Sequence, residues 1–312
     1  MPWDNRTKRR FKLRDLDVLM AVVEAGGIGK AASRLGVSQP AVSKSIADLE
    51  DTFEVRLLER SRRGIAPTPY AVALIKRGTA LFDELRQGFQ DIDFLADPTA
   101  GEVRIGATEP LSVAVVAPAI NQLSRQFRRI RFSVTVGDAA TLYRGLVDRH
   151  FEVALSRMNK PVPDEFDVET LFEDTLIVVT GARNPLTRRR KLALSDLVNE
   201  PWATFPYDSL FGSLVENVFR IRGLNPPQAT VVSLSPFLLN ELRATGHFLS
   251  VVPRYWLELP PKPPSIAALP ILLPETRMPV FIVSLKNRML SPRVKLFLDR
   301  VRLIVKPLTK SK

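Results

Sequence analysis

The sequence predicts an α/β chain in three parts: a small helical unit closed by a short hairpin, one long helix, and a larger region of alternating strands and helices. Three observations carry this. Between Leu13 and Leu49 apolar residues recur every three or four positions, the helical period. From Leu74 to Leu95 the spacing alternates strictly between four and three, which keeps one seam on one side of a helix. From Val103 onward, short apolar runs of period two alternate with amphipathic segments, the succession expected of a parallel sheet covered by helices. A length of 312 residues predicts about two domains, each able to bury a core.

Composition narrows the chemistry. Lys and Arg number 45 against 33 Asp and Glu, a formal net charge of +12. Such an excess favours a polyanionic partner such as nucleic acid, and taken alone it fits an acidic membrane surface equally well. The chain has no cysteine and only two histidines, His150 and His247, far apart. That leaves no disulfide, thiol nucleophile or Cys-based metal site, and little material for a zinc site or a Ser-His-Asp triad. No G-x-S-x-G elbow or phosphate-binding Gly-rich loop with Lys appears, so neither an enzyme nor a cofactor is expected. The N-terminus MPWDNRTKRRFKLR lacks the apolar stretch of a secretory signal, and no apolar run approaches the roughly 20 residues of a membrane span. A cytoplasmic protein without membrane contact is expected.

Residues 1–12 are basic, with Arg6, Lys8, Arg9, Arg10 and Lys12, and read either as a phosphate-binding arm or as a solvated tail. Leu13–Glu24 is a helix with Leu16, Leu19, Met20 and Val23 on one face, stopped by Gly26-Gly27. Ile28–Phe53 then reads as two helices joined by the turn Gly36-Val37-Ser38. Ala31, Ala32 and Leu35 face inward from the first, Val42, Ile46 and Leu49 from the second. Ser38 is placed to cap the second helix, whose first turn tolerates Pro40. Its opposite face carries Gln39, Pro40, Ser43 and Lys44, groups able to meet base edges and phosphates in a major groove. After Glu54, two short strands flank Ser61-Arg62-Arg63-Gly64, a basic tip suited to a minor groove.

AASRLGVSQPAVSKSIADLE followed by LLERSRRGIAPTPYA resembles the winged helix-turn-helix of LysR-type transcriptional regulators, from Leu13 to about Tyr70. The resemblance implies a sequence-specific regulator on a partly palindromic double-stranded operator, and a DNA-facing set of Ser33, Arg34, Ser38, Gln39, Pro40, Ser43, Lys44, Arg62 and Arg63. It also implies a co-inducer domain similar to periplasmic binding proteins, dimers and tetramers that bend DNA, and contact with RNA polymerase.

Thr68–Ala96 reads as one long helix. Leu74, Gly78, Leu81, Leu85, Gly88, Ile92 and Leu95 form a heptad seam flanked by Ile75, Phe82 and Phe89, which calls for a second helix, most simply that of another copy. This resembles the family's dimerising linker helix, and Asp97–Gly101 follows as a hinge. Expected strands are Val103–Gly106, the edge strand Ile130–Val136, the buried Glu152–Ser156, Glu169–Phe172, Thr175–Thr180, Trp202–Phe205, Thr230–Ser233, Phe248–Val252, Pro270–Leu273 and Val280–Leu285. Helices are expected at Val113–Phe127, Ala140–Arg149, Leu194–Val198, Leu210–Arg222, Pro236–Thr245 and Pro292–Val305, with Pro260–Pro264 a rigid surface connection.

Two α/β subdomains joined by two crossing strands would enclose a cleft. The expected division is 1–69 for the DNA-binding domain, 70–97 for the linker helix, 101–166 with 273–307 for subdomain I, and 167–272 for subdomain II. Ligands in such sheets sit beyond the carboxyl ends of strands. That rule selects Thr108, Glu109 and Ser112, then Asp138 and Thr141, then Ser156 and Arg157, then Tyr207, Ser209 and Phe211, and Ser235 with Phe237. Arg157 reads as a bidentate clamp for an anionic small-molecule effector, as half of a salt bridge to Glu109 or Asp138, or as a surface residue. Thr108 and Ser112 read equally as helix caps, His150 as a helix-end residue, and Arg188–Lys191 as a solvated loop.

Overall fold

The computed structural model describes residues 10–61, 64–157, 162–260 and 265–309, in two compact units, Met1–Gln90 and Asp91–Lys312. The tips and tails bearing Arg6, Lys8, Arg9, Arg62, Arg63 and Pro261–Pro264 lie outside the described residues.

In the first unit α1 (Leu13–Ala25), α2 (Ile28–Leu35) and α3 (Gln39–Phe53) pack around Leu19, Val22, Ala31, Val42 and Leu49. Gly26 and Gly36 stop α1 and α2 in the left-handed region at φ +68° and +65°, where a Cβ would be strained. Ser38 caps α3, its hydroxyl accepting the Ala41 N–H at 3.4 Å. The hairpin of β1 (Leu58–Ser61) and β2 (Gly64–Pro67) is antiparallel. Glu50 ties it to α3: Oε1 accepts the backbone N–H of Leu57 at 2.7 Å and of Leu58 at 3.3 Å. Thr68 donates to the Arg56 carbonyl at 2.8 Å and caps the long helix α4 (Pro69–Ala96) through the Ala71 N–H.

The seam of α4 begins later than the heptads suggest. Leu74 and Ile75 join the core of the first unit, and Gly78 is buried under Leu16, whose methyls lie 3.1 Å from where a Cβ would stand. Those first positions are therefore used within the chain, because α1 already fills the space beside them. Leu81, Leu85, Phe89, Ile92 and Leu95 stay exposed.

The second unit is built on one six-stranded sheet of order β4-β3-β5-β10-β6-β9. Its strands are β3 (Ala100–Ala107), β4 (Arg129–Val136), β5 (Val153–Arg157), β6 (Phe166–Gly181), β9 (Ser250–Pro253) and β10 (Ile266–Leu285). Two expectations are corrected here. The sheet is parallel only across β4-β3-β5; β10 pairs antiparallel with β5 and β6, and β6 with β9. The four short strands expected at 169–172, 175–180, 270–273 and 280–285 are two long ones, β6 and β10. Register shifts between Ala268 and Leu272, Leu273 and Met278, and Val280 and Phe281 let one ladder bend past Pro270, Pro274 and Pro279, which a regular ladder rejects.

On one side of the bend α5 (Ala117–Gln126) and α10 (Pro292–Thr309) bury Leu111, Val115, Leu123, Phe297 and Val301 against β3, β5 and the near halves of β6 and β10. A π-turn, Ser112–Val116, precedes α5; the Ala117 N–H reaches back to the Ser112 carbonyl. Pro118 at the start of α5 has no N–H to hold a tighter turn there. α6 (Ala139–Val147) closes a smaller cluster around Phe151. On the other side α7 (Leu210–Ile221) packs with Trp202, Phe219 and Leu197 against β6, β9 and β10, and the two-residue strands β7 (Ala203–Thr204) and β8 (Val231–Val232) and the helix α8 (Pro236–Ala244) complete that half. The Trp202 indole N–H donates to the Leu197 carbonyl at 2.8 Å. The short α9 (Tyr255–Glu258) follows β9 at the bend.

Replacing Glu50 with alanine removes the acceptor that holds the hairpin. The first unit should lose about 1–3 kcal/mol in denaturant unfolding, whereas Glu50→Gln, which keeps Oε1, should retain most of it.

Candidate nucleic-acid interface and effector cleft

α3 splits cleanly into two faces. Val42, Ile46 and Leu49 point into the core, while Gln39, Pro40, Ser43 and Lys44 are exposed around its N-terminal turn. The opposition follows from the 3.6-residue period, and it leaves the positive end of the helix dipole in solvent. Ser33 and Arg34 are exposed at the end of α2; Ser33 donates to the Gly29 carbonyl at 3.2 Å, and Arg34 pairs with Glu24 at 2.9 Å. Ser38 is committed to its cap.

In the second unit Thr108 and Asp138 follow the carboxyl ends of β3 and β4, and Arg157 is the last residue of the neighbouring parallel strand β5. The Thr108 N–H reaches across to the Leu155 carbonyl at 3.1 Å, which stitches the first and third of these ends together. Ser112 donates to the Glu109 carbonyl at 2.8 Å, and Asp138 caps α6 by accepting the Thr141 N–H at 2.8 Å. The Thr141 hydrogen bonds hold the Asp138 carboxyl below its ordinary value.

Arg157 is 3% exposed. Its partner is the buried Asp174 of β6, rather than Glu109 or Asp138: Nη2 donates to Oδ2, and the Tyr255 N–H donates to Oδ1 at 3.0 Å. Arg157 Nε and Nη1 are buried without a hydrogen-bond partner. The guanidinium sits 5.7 Å from the Tyr255 ring centre and 5.8 Å from that of Phe211 on α7, so elements from both sides of the bend meet around it. Phe211 is held there by a close approach. Gly212 lets the Pro206 carbonyl come within 1.9 Å of where a Cβ would be, and Ser209 caps α7 through the Gly212 N–H at 3.2 Å. Burial pushes the Asp174 carboxyl up to about 6 against the pull of Arg157, with Glu258 adding to the rise. Burial also raises the Tyr255 hydroxyl.

The other expected cleft residues serve local structure. Tyr207 donates to the Pro227 carbonyl at 2.8 Å, and Ser235 caps α8 by accepting the Leu238 N–H at 3.3 Å. Phe237 is exposed, His150 lies just past α6, and the exposed His247 packs edge-on against Phe248.

Comparison with known proteins decides the family. Residues 13–72 match the bacterial regulatory helix-turn-helix of the lysR family, and residues 96–303 match the LysR substrate binding domain. The chain belongs to the LysR family. It is 30% identical over 297 residues to the transcriptional regulator GbpR of Azospirillum brasilense, covering 95% of this chain and 87% of that one. With CysL of Bacillus subtilis (strain 168) it shares 27% over 239 residues, 77% of this chain and 79% of the other. Full-length CbnR in complex with its target DNA has the same fold, with a TM-score of 0.63, 21% identity, and coverage of 94% of this chain and 99% of CbnR. A full-length OxyR variant from Pseudomonas aeruginosa gives 0.66 at 21% identity, covering 97% and 99%.

The LysR assignment makes the protein a DNA-binding transcriptional regulator with an effector-binding domain, from a family of oligomeric regulators rather than enzymes. Among the described residues no helix is long and apolar enough to cross a membrane, and no group of three or more His, Cys, Asp or Glu is placed to hold a metal ion. Asp174 and Tyr255 escaped the strand-end rule because they sit beyond β5 in the bend. The one available signal was the polar pair Glu173-Asp174 interrupting an apolar run.

Asp174 carries a pH signature. Its folded-state value of about 6 exceeds the 3.8 of a free carboxyl, so between them the folded chain holds a proton that the unfolded chain has lost. Its stabilising contribution is full below the lower value and disappears as pH rises through about 6. The stability of the wild type relative to Asp174→Asn should therefore fall by on the order of 2 kcal/mol between about pH 4 and about pH 7 in denaturant melts.

Proposed function

We propose that this regulator is a cytoplasmic homo-oligomer that binds a partly palindromic operator and is switched by a small anion held between its two α/β subdomains. In this reading residues 1–69 bind DNA, 70–97 pair subunits, and 101–166 with 273–307 close on 167–272 around the effector. One α3 enters each half-site with Gln39, Ser43 and Lys44 toward base edges and phosphates, helped by Ser33, Arg34 and the hairpin arginines. The exposed stripe of α4 from Leu81 to Leu95 supports pairing of subunits, and CbnR on its target DNA supports the placement of the first unit. At the promoter the regulator acts through RNA polymerase.

The observation that carries the effector reading is the state of Arg157. A guanidinium presents its donors in a fixed fork, and here only Nη2 is used by Asp174 while Nε and Nη1 are buried and unpaired. Leaving a buried donor unmet costs about 1–3 kcal/mol. A carboxylate or phosphate arriving between Arg157 and the strand ends at Thr108 and Asp138 meets a buried donor, Nη1 on one edge of the guanidinium or Nε on the other. Phe211 brings the far subdomain onto the same group, so an anion bound there has different contacts in open and closed arrangements. That difference is what allows a ligand to shift the equilibrium.

Ser43→Ala with Lys44→Ala should weaken operator binding by about tenfold and lower the salt dependence, with thermal stability unchanged; undiminished affinity at moderate salt removes α3 from the groove. Arg157→Ala should leave operator binding intact and abolish the response of a promoter reporter to the inducing metabolite, and a persisting response rules out the clamp.

A further inference from the structure

The run Arg188–Lys191 takes no part in either site, yet the fold presents it with care. Asn184 caps the 3-10 turn Pro185–Arg188 by accepting the Leu186 N–H at 2.8 Å, and its amide donates to the Gly246 carbonyl at 2.7 Å. Leu186 is buried beneath that turn. At the other end Asp196 accepts the Ala193 N–H at 2.9 Å and fixes the turn Leu194–Leu197. Between these two anchors Arg188, Arg189, Arg190 and Lys191 are all exposed, and none has an acidic partner among the described residues. Four like charges thus lie close together on a backbone anchored at both ends and make a positive ridge.

The ridge runs directly into a surface cavity of about 340 Å³ lined by Leu192, Leu194, Leu224, Ile271, Leu272 and Arg222. Leu272 is 73% exposed, and Ile221 beside Arg222 is exposed as well. The one cation in the wall is already neutralised: Arg222 donates to both Glu275 oxygens at 3.0 Å and to the Leu272 carbonyl at 2.7 Å. The face thus has an open depression of mixed lining, with leucine side chains beside Ser195 and the neutralised Arg222, and an unneutralised basic rim on one side.

We propose that this face of subdomain II docks an acidic segment of another protein, which seats an apolar side chain in the cavity and lays carboxylates along Arg188–Lys191. An apolar centre with a charged rim is the usual anatomy of a protein–protein contact, and a pocket that accepts a single large side chain is where its affinity concentrates. Nucleic acid is the less fitting occupant. Phosphates would use the four cations but leave the leucine-lined cavity unfilled, since backbone contacts carry no apolar group. The rim charges would set the approach rate and its salt dependence, and the cavity would set the lifetime. Ile271 and Leu272 belong to β10, which pairs with both β5 and β6, so an occupant of this face touches the strand that lies between Arg157 and Asp174.

The test uses the full-length protein and phage-displayed random dodecapeptides, counter-selected on the variant R188E/R189E/R190E/K191E. Enriched peptides should carry net negative charge together with leucine, phenylalanine or tryptophan. As labelled synthetic peptides they should lose at least about tenfold in affinity to that variant and to Leu272→Asp, and weaken with salt. Operator binding by both variants should be unchanged. Selection without acidic enrichment, or peptides that bind the variants equally well, overturns the proposal. So does a charge reversal that weakens binding to DNA lacking an operator, which makes the ridge a phosphate contact. A change in sedimentation state would equally overturn it, by assigning the face to a second copy of the chain.

Discussion

The hydrogen-bonded ladder between β6 and β10 is the element on which the rest of the effector-binding unit depends. Each of the two strands contributes apolar residues to the cores on either side of the bend. Neither core is closed without them, so the two subdomains share a backbone rather than a flexible joint. A continuous ladder resists shear but yields at its irregularities, and the register shifts near Leu273–Phe281 are where it can flex. Arg157, Asp174 and Tyr255 sit at that place. The site therefore lies where a small change of angle between the two halves has the largest effect on local distances.

The pairing of Arg157 with Asp174 is not explained by stability. Taking two charges out of water costs about as much as their attraction returns, and apolar residues of similar volume would often hold the fold equally well. Two unmet donors and a carboxyl pushed up to about 6 make the arrangement worse still as a structural element. The effector role proposed above gives such a group a use that stability does not. The same contrast separates Arg157 from Arg302, whose guanidinium meets Glu169 on the surface at 2.7 and 2.8 Å and needs no ligand.

The parts of the structure legible in the sequence are those whose contacts are local. α1 to α3 follow from a helical period, and Ser38 announces its cap two residues ahead of Pro40. The edge position of β4 shows in the alternation Ile130, Phe132, Val134, Val136 against Arg131, Ser133, Thr135. What stayed hidden depends on chain segments far apart. β6 and β10 read as four strands because prolines and polar residues interrupt their apolar runs, and only their mutual pairing carries them across. Asp174 stands 17 residues from Arg157, and Tyr255 stands 81 from Asp174, distances over which no periodicity speaks. Leu74 and Gly78 obey the heptad perfectly and are nonetheless taken up within the chain, Leu74 by the core of the first unit and Gly78 by Leu16, because a repeat records which residues are apolar but not which neighbour arrives first.

The bare stripe of α4 has a consequence for gene control. With Leu81, Leu85, Phe89, Ile92 and Leu95 in water, a lone chain carries uncovered apolar area, and under the proposed pairing of α4 the paired state is linked to protomer concentration by mass action. The amount of DNA-competent species then grows more steeply than the amount of chain made, as the square of concentration when pairs are scarce. A modest change in synthesis or degradation would become a sharper change in promoter occupancy before any effector arrives.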